Sequence, residues 1–232
     1  MNGQRNPKEG RKLIQAVIVL TLICLGSGLG VGLLYHSQRD DIEANERSVF
    51  QSALAQVLGE ADEYPTVGEY DASVDAEQKV YMRRMDSGAL YAAMGSAQGY
   101  QSEVRVLVSV EAESPGRPVG DDPLIHRMAV VSSQETPGLG EQIKSVEQDV
   151  SVWGAVAGQR SEPKRPWFQE QFSGKRLSDL VVERTAETDK IAALSGATIT
   201  SEAATEAARK AVNTIIERTA DVYGPGGNGQ NG

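Results

Sequence analysis

Residues 13–35 run 23 positions without a charge, after which the chain breaks into the mixed apolar and polar spacing of water-soluble elements. At a rise of ~1.5 Å per residue, a helix of that length covers the roughly 30 Å hydrocarbon layer of a bilayer. The run exceeds the ~7–15-residue apolar core of a cleavable signal, so it predicts a retained transmembrane helix. Arg5, Lys8, Arg11 and Lys12 precede it against Glu9 alone, while Asp40, Asp41 and Glu43 follow it beside Arg39. That bias sets the N-terminus in the cytoplasm and the bulk of the chain outside. The glycines of Gly26-Ser27-Gly28-Leu29-Gly30-Val31-Gly32 alternate within this apolar run and follow no strand, which excludes a dinucleotide-binding loop. Small residues at i, i+4 either admit a second membrane helix or are simply tolerated there.

Beyond Ser37, the positions Ile42, Val49, Phe50, Ala53, Leu54, Val57 and Leu58 recur at helical spacing until Gly59, so the anchor helix is predicted to continue as a stalk. Residues 89–94 and 104–110 read as strands joined by a turn at Gln98-Gly99-Tyr100, the second with Val104, Val106, Val108 and Val110 on one face. A third apolar run, 124–131, follows a Pro- and Gly-rich bend at 114–123, and 181–184 reads as a further short strand. Ala204, Ala208, Ala211, Val212, Ile215 and Ile216 form one stripe of a last helix. Its expected caps are Thr198, Thr200 and Ser201, with Glu202 in the first turn. Trp153, Trp167, Phe168 and Phe172 are assigned to the core. Strands leading into a turn-rich loop and a helix make the fold class α+β. The expected organisation is a tail and anchor at 1–36, a stalk and linker at 37–64, a folded domain at 65–222 and a disordered Gly- and Asn-rich tail at 223–232.

Composition narrows the chemistry. With two His (His36 and His126) and one Cys (Cys24), no Cys/His zinc site can be assembled, and no Ser-His-Asp arrangement has a motif context. Residues 1–36 hold four of the 23 basic and one of the 32 acidic residues, so the remainder carries a net charge of -12. Such an acidic domain argues against nucleic acid as a partner, because phosphate-backbone recognition needs clustered Lys and Arg. It also lacks Cys, so no disulfide holds it.

Two segments carry the candidate chemistry. Ser195-Gly196-Ala197-Thr198-Ile199-Thr200 lies between the apolar residues 191–194 and the last helix. Small residues let an anion approach the backbone, first-turn N–H groups point at it, and the hydroxyls of Ser195, Thr198 and Thr200 can add hydrogen bonds. The same residues also make an ordinary helix cap, and on residue types alone both readings stand. The second segment is the Pro-Gly turn Glu135-Thr136-Pro137-Gly138-Leu139-Gly140, directly after the third apolar run.

Together these segments carry a resemblance. S-G-A-T-x-T before the last helix resembles the flavinylation motif of the FMN-binding domain family, known in the G subunit of the Rnf electron-transport complex and the C subunit of the sodium-translocating NADH:quinone reductase. E-T-P-G-L-G is similar to a segment of the same family, and residues 167–175 resemble its Trp followed by Phe, Gly and Lys. With the single N-terminal anchor, the resemblance covers nearly the whole chain.

The resemblance implies an FMN-binding domain with an antiparallel sheet and flanking helices, preceded by one transmembrane helix. It implies that Thr198 is esterified to the FMN phosphate, with Ser195, Gly196, Ala197 and Thr200 around that phosphate. Glu135, Thr136, Gly138, Leu139 and Gly140 would lie along the flavin, Leu139 against the ring, and Lys175 would be a further contact. The implied role is relaying electrons within an ion-translocating oxidoreductase complex of the cytoplasmic membrane, not stand-alone catalysis. The implied partners are other membrane subunits and a flavin transferase for maturation, and the main domain would be extracytoplasmic. No catalytic residue and no metal ligand is implied. One position departs: the family Asp three residues before the Ser is Ala192 here, the nearest preceding acid being Asp189. The alternative is a flavin-free anchored binding or assembly module of the same fold. A hydrolase built on Ser195 or Thr198 lacks a positioned base.

Overall fold

The structure, a computed structural model, describes residues 7–71, 73–135, 140–144, 166–183 and 190–225. Helix α1 (Pro7–Leu58) runs unbroken through the apolar segment and the following periodic positions. Within it, Ile14–Arg39 is long and apolar enough to cross a membrane. The chain divides into a unit of residues 1–48 and a compact unit of residues 49–232. Gly59 ends the helix with φ +85, and its N–H bonds the Ala55 carbonyl at 2.9 Å. This is the left-handed stop that favours glycine.

The compact unit is built on an antiparallel sheet of order β1-β2-β3-β4: β1 (Tyr81–Met85), β2 (Gly88–Gln98), β3 (Glu103–Ala112) and β4 (Ile125–Ser132). Strands β2 and β3 extend the first two predicted runs, β4 is the third shifted by one residue, and Gly99 closes the β2–β3 turn by bonding the Ser102 carbonyl at 2.8 Å. The sheet is covered on both faces. Helix α3 (Thr198–Tyr223) packs on one face with Tyr91, Ala93, Val104, Val106, Val108 and Val110. Phe50, Ala53, Leu54, Val57 and Leu58, the last turns of α1, pack on the other with Tyr81, Leu90, Ala92, Leu107 and Ala129. Val104, Val106, Val108 and Val110 therefore share the α3 face, while Ser109 on the opposite face donates to the Val57 carbonyl at 2.8 Å. Alanines on α3 let its backbone approach β2 so closely that a Cβ on Gly95 would stand 2.0 Å from the Ala207 carbonyl oxygen.

The remaining elements are short: α2 (Trp167–Glu170), β5 (Val182–Glu183) and β6 (Ile191–Ala192), the two strands paired in parallel. Three sequence expectations need correction. Strand β1 was not foreseen, because only Tyr81 and Met82 of Tyr-Met-Arg-Arg-Met are buried and no alternation results. Trp167 is 42% exposed rather than core; Phe168 and Phe172, at i and i+4, take the inward face and meet edge to face at 5.6 Å. Helix α3 begins at Thr198 with Ala197 as its cap, so Thr198, Thr200 and Ser201 are helical positions and no acid, Glu202 included, occupies the first turn. Trp153 and the tail beyond residue 225 lie outside the described residues.

Candidate functional site

The chain enters α3 through a β-turn in which the Ala197 N–H bonds the Leu194 carbonyl at 3.0 Å and Gly196 takes φ +75. Glycine at the third position of such a turn is what a left-handed φ requires. The turn is held from inside the helix: Ser201 Oγ accepts the Leu194 N–H at 3.0 Å and donates to the Ala197 carbonyl at 3.0 Å. The first helical backbone bond runs from the Ser201 N–H to the Ala197 carbonyl. The N–H groups of Thr198, Ile199 and Thr200 precede it and have no acceptor within the helix. Thr198, half-buried, is the first helical residue.

Against this helix start stands Glu135, 6% exposed, just beyond the end of β4. Its Oε1 accepts the N–H groups of Gln101 and Ser102 at 3.3 and 3.1 Å and the Ser102 hydroxyl at 3.3 Å. Its Oε2 accepts the Thr200 hydroxyl at 2.9 Å. Burial pushes the carboxyl pKa up, but the Ser102 N–H, the Thr200 hydroxyl, the Gln101 N–H and the Ser102 hydroxyl together outweigh it, and the group sits below the ordinary carboxylate value. Two glycines make room for it: a Cβ on Gly99 would meet Glu135 Oε1 at 2.5 Å, and one on Gly140 would meet Glu135 Cβ at 2.7 Å and Thr200 Oγ1 at 2.8 Å.

These groups line an open cleft of about 620 Å³ bounded by Tyr100, Gln101, Glu135, Gly140, Gly196, Ala197, Thr198, Ile199 and Thr200. Its size falls in the ~300–1,000 Å³ range of small-molecule sites. Tyr100 and Ile199, 67% and 52% exposed, give it apolar walls, and the first turn of α3, whose N–H groups have no acceptor within the helix, lines it as well. A flat ring system with an anionic tail suits that combination.

The two ends of one motif, Glu135 and Gly140, are thus brought beside the other. Gly196, Ala197, Thr198, Thr200, Glu135 and Gly140 share the cleft. Ser195 is exposed, one residue before the lining, and Lys175, whose carbonyl accepts the Ile125 N–H, lies outside it. The single hydroxyl proton of Thr200 is given to Glu135, so only its backbone N–H remains for an anion. Thr136, Gly138 and Leu139 lie outside the described residues. Ala192 does not line the cleft; its N–H and carbonyl are bracketed by the Gln171 side chain at 2.8 and 3.3 Å.

Gln171, Gly99, Tyr100 and Ser102 were not singled out from the sequence for this site. Gly99 and Tyr100 carried a signal there, as part of the predicted turn. His126 lines a different cleft with Arg83, Arg84 and Arg127, and its Nδ1 lies 2.9 Å from Glu111. Among the described residues lining the Thr198 cleft there is no His. Among the described residues no group of three or more His, Cys, Asp or Glu could hold a metal ion.

Residues 99–213 match the FMN-binding domain family. The chain is 24% identical over 202 residues to the G subunit of the proton-translocating ferredoxin:NAD(+) oxidoreductase complex of Clostridium ljungdahlii, spanning 86% of this chain and 90% of that one. It is 27% identical over 219 residues to the G subunit of the ion-translocating oxidoreductase complex of Pseudomonas aeruginosa, spanning 87% and 88%. The crystal structure of the C subunit of Na(+)-translocating NADH-quinone reductase from Parabacteroides distasonis is 16% identical, covers 85% of this chain and 97% of that one, and superposes with a TM-score of 0.44. The matched segment, residues 99–213, contains both Glu135 and the Thr198 turn and belongs to the FMN-binding domain family.

Proposed function

We propose that this chain is a membrane-anchored flavoprotein that relays electrons, as one component of a larger complex, through FMN bound covalently at Thr198. The observation that carries the reading is the position of Thr198: first residue of α3, half-buried, lining the cleft beside first-turn N–H groups that have no acceptor within the helix, and inside the segment that matches the family. The bound flavin supplies one- and two-electron transfer, and the protein supplies position and electrostatics. The N–H groups of Thr198, Ile199 and Thr200 would hold the phosphate end, and Tyr100 and Ile199, which line the same cleft, would offer apolar surface to the ring. In forming the ester, Thr198 Oγ1 would bond to the FMN phosphorus of a flavin donor activated as a phosphoanhydride, the anhydride P–O bond would break, and the nucleotide monophosphate would leave with the hydroxyl proton; relative to free FMN the protein gains FMN and loses water. A flavin transferase carries out that step.

Ile14–Arg39 anchors the chain in the cytoplasmic membrane. The basic N-terminal flank places the N-terminus in the cytoplasm and the domain outside, where a cofactor held only by affinity would be lost. The kinship with the G subunits of two such complexes supports partnership with other membrane subunits of an ion-translocating oxidoreductase. Substrate oxidation then belongs to those partners. A second reading, a flavin-free assembly module of the same fold, is favoured by Ala192 at the family's acidic position. In-gel fluorescence after denaturation separates the two: wild type matured with a flavin transferase gives a fluorescent band, Thr198→Ala gives none, and a dark wild-type band selects the module.

A further inference from the structure

The described lining of the cleft carries one charge, and it is negative. Tyr100, Gln101, Gly140 and residues 196–200 are neutral, while Glu135 is a nearly buried carboxylate bonded to the first turn of α3. The nearby Lys144 gives its Nζ to the Ser133 carbonyl at 3.0 Å and does not line the cleft; neither does Lys175. The helix N-terminus offers an anion about half a positive charge. A full carboxylate charge already stands against that same turn through Thr200.

We propose that Glu135 makes the cleft a poor receptor for a free phosphate monoester and an adequate one for the same phosphate esterified to Thr198, so that the cofactor is retained by its bond and not by affinity. The inference rests on the FMN reading above. A phosphate monoester carries about -1.5 to -2 at neutral pH, and esterification leaves a diester with a charge of about -1. Repulsion from the fixed Glu135 charge falls with it, in a partly enclosed site where such interactions are weakly screened. Glu135 is kept nonetheless because it ties the β2–β3 turn to the start of α3, through Gln101, Ser102 and Thr200.

The test uses the full-length chain in detergent, purified from a host without a flavin transferase, titrated with FMN and with riboflavin. Their affinity ratio isolates the phosphate, since any loosening of the fold weakens both. Wild type is expected to bind FMN no more tightly than riboflavin, and Glu135→Gln to shift the ratio toward FMN by about tenfold. In wild type, raising the salt concentration strengthens FMN binding relative to riboflavin, whereas a cationic phosphate site would show the reverse. This second measurement needs no variant to fold. A wild-type preference for FMN, an unchanged ratio in Glu135→Gln, failure of that variant to bind either flavin, or a weakening of relative FMN binding with salt overturns the proposal. If wild type matured with the transferase carries flavin, those outcomes overturn only the role of Glu135; if it carries none, the covalent reading itself falls.

Discussion

Ser201 Oγ, seven residues beyond Leu194, accepts the Leu194 N–H at 3.0 Å and so ties the helix to the turn that precedes it. The hydroxyl is fully buried and also donates to Ala197, so one side chain sets the shape of the Thr198 turn. Ser201→Ala leaves a buried N–H unpaired and is expected to cost about 1–3 kcal/mol. Urea unfolding reads that loss, and flavin loading should fall with it; an unchanged midpoint would mean the turn is held by other contacts.

Gly140 and Gly95 are close-approach glycines at different depths. A Cβ at Gly140 meets Glu135 and the Thr200 hydroxyl, side-chain atoms with some freedom to shift, whereas at Gly95 it meets the backbone of α3. Gly140→Ala is expected to cost about 1–3 kcal/mol, and Gly95→Ala more, because a packed backbone cannot give locally. Thermal melts of the two variants give the order, and equal melting points would contradict it.

The depressed pKa of Glu135 has a pH signature. Its bonds contribute fully above the ordinary value of 4.5 and are lost as pH falls through the lower value it has in the fold. Wild-type stability should therefore drop below about pH 4.5, and Glu135→Gln, less stable at neutral pH, should drop less over the same interval. Urea midpoints between about pH 3 and 7 measure both slopes; parallel curves would show that Glu135 is not an acid-sensitive tie.

Arg83 gives Nη1 to the Leu58 carbonyl at 2.6 Å and Arg127 gives its own to the Gln56 carbonyl at 3.2 Å, so two strands cap the end of α1. With Phe50, Leu54, Val57 and Leu58 buried against the sheet, these turns are part of the folded unit. A chain beginning at residue 49 should be soluble and unfold cooperatively. One beginning at residue 60, which bares Tyr81, Leu90 and Leu107, should aggregate. Soluble yield and a melting curve decide, and a well-folded chain from residue 60 would make the α1 contact dispensable.

The sequence made the large periodic elements readable because each buries one continuous face: the valines of β3 at period two and the alanines of α3 at helical spacing. It misled at α3's start, where Thr198, Thr200 and Ser201 have the residue types of caps but Thr200 and Ser201 spend their hydroxyls elsewhere, Thr200 on Glu135 and Ser201 on the turn behind it. Tertiary partners 65 and 7 residues away leave no trace in local spacing. The pairing of the two motifs came through family resemblance; the roles of Gly99 and Gly140 as clearance for one carboxylate needed the fold.

The central claim is a bond at Thr198 Oγ1, and intact mass of the full-length protein matured with a flavin transferase tests it most directly. The account predicts that wild type is heavier than its sequence by FMN minus water, and that Thr198→Ala has the mass of its sequence alone. A wild-type protein of unmodified mass, or a Thr198→Ala variant that keeps the increment, would contradict it.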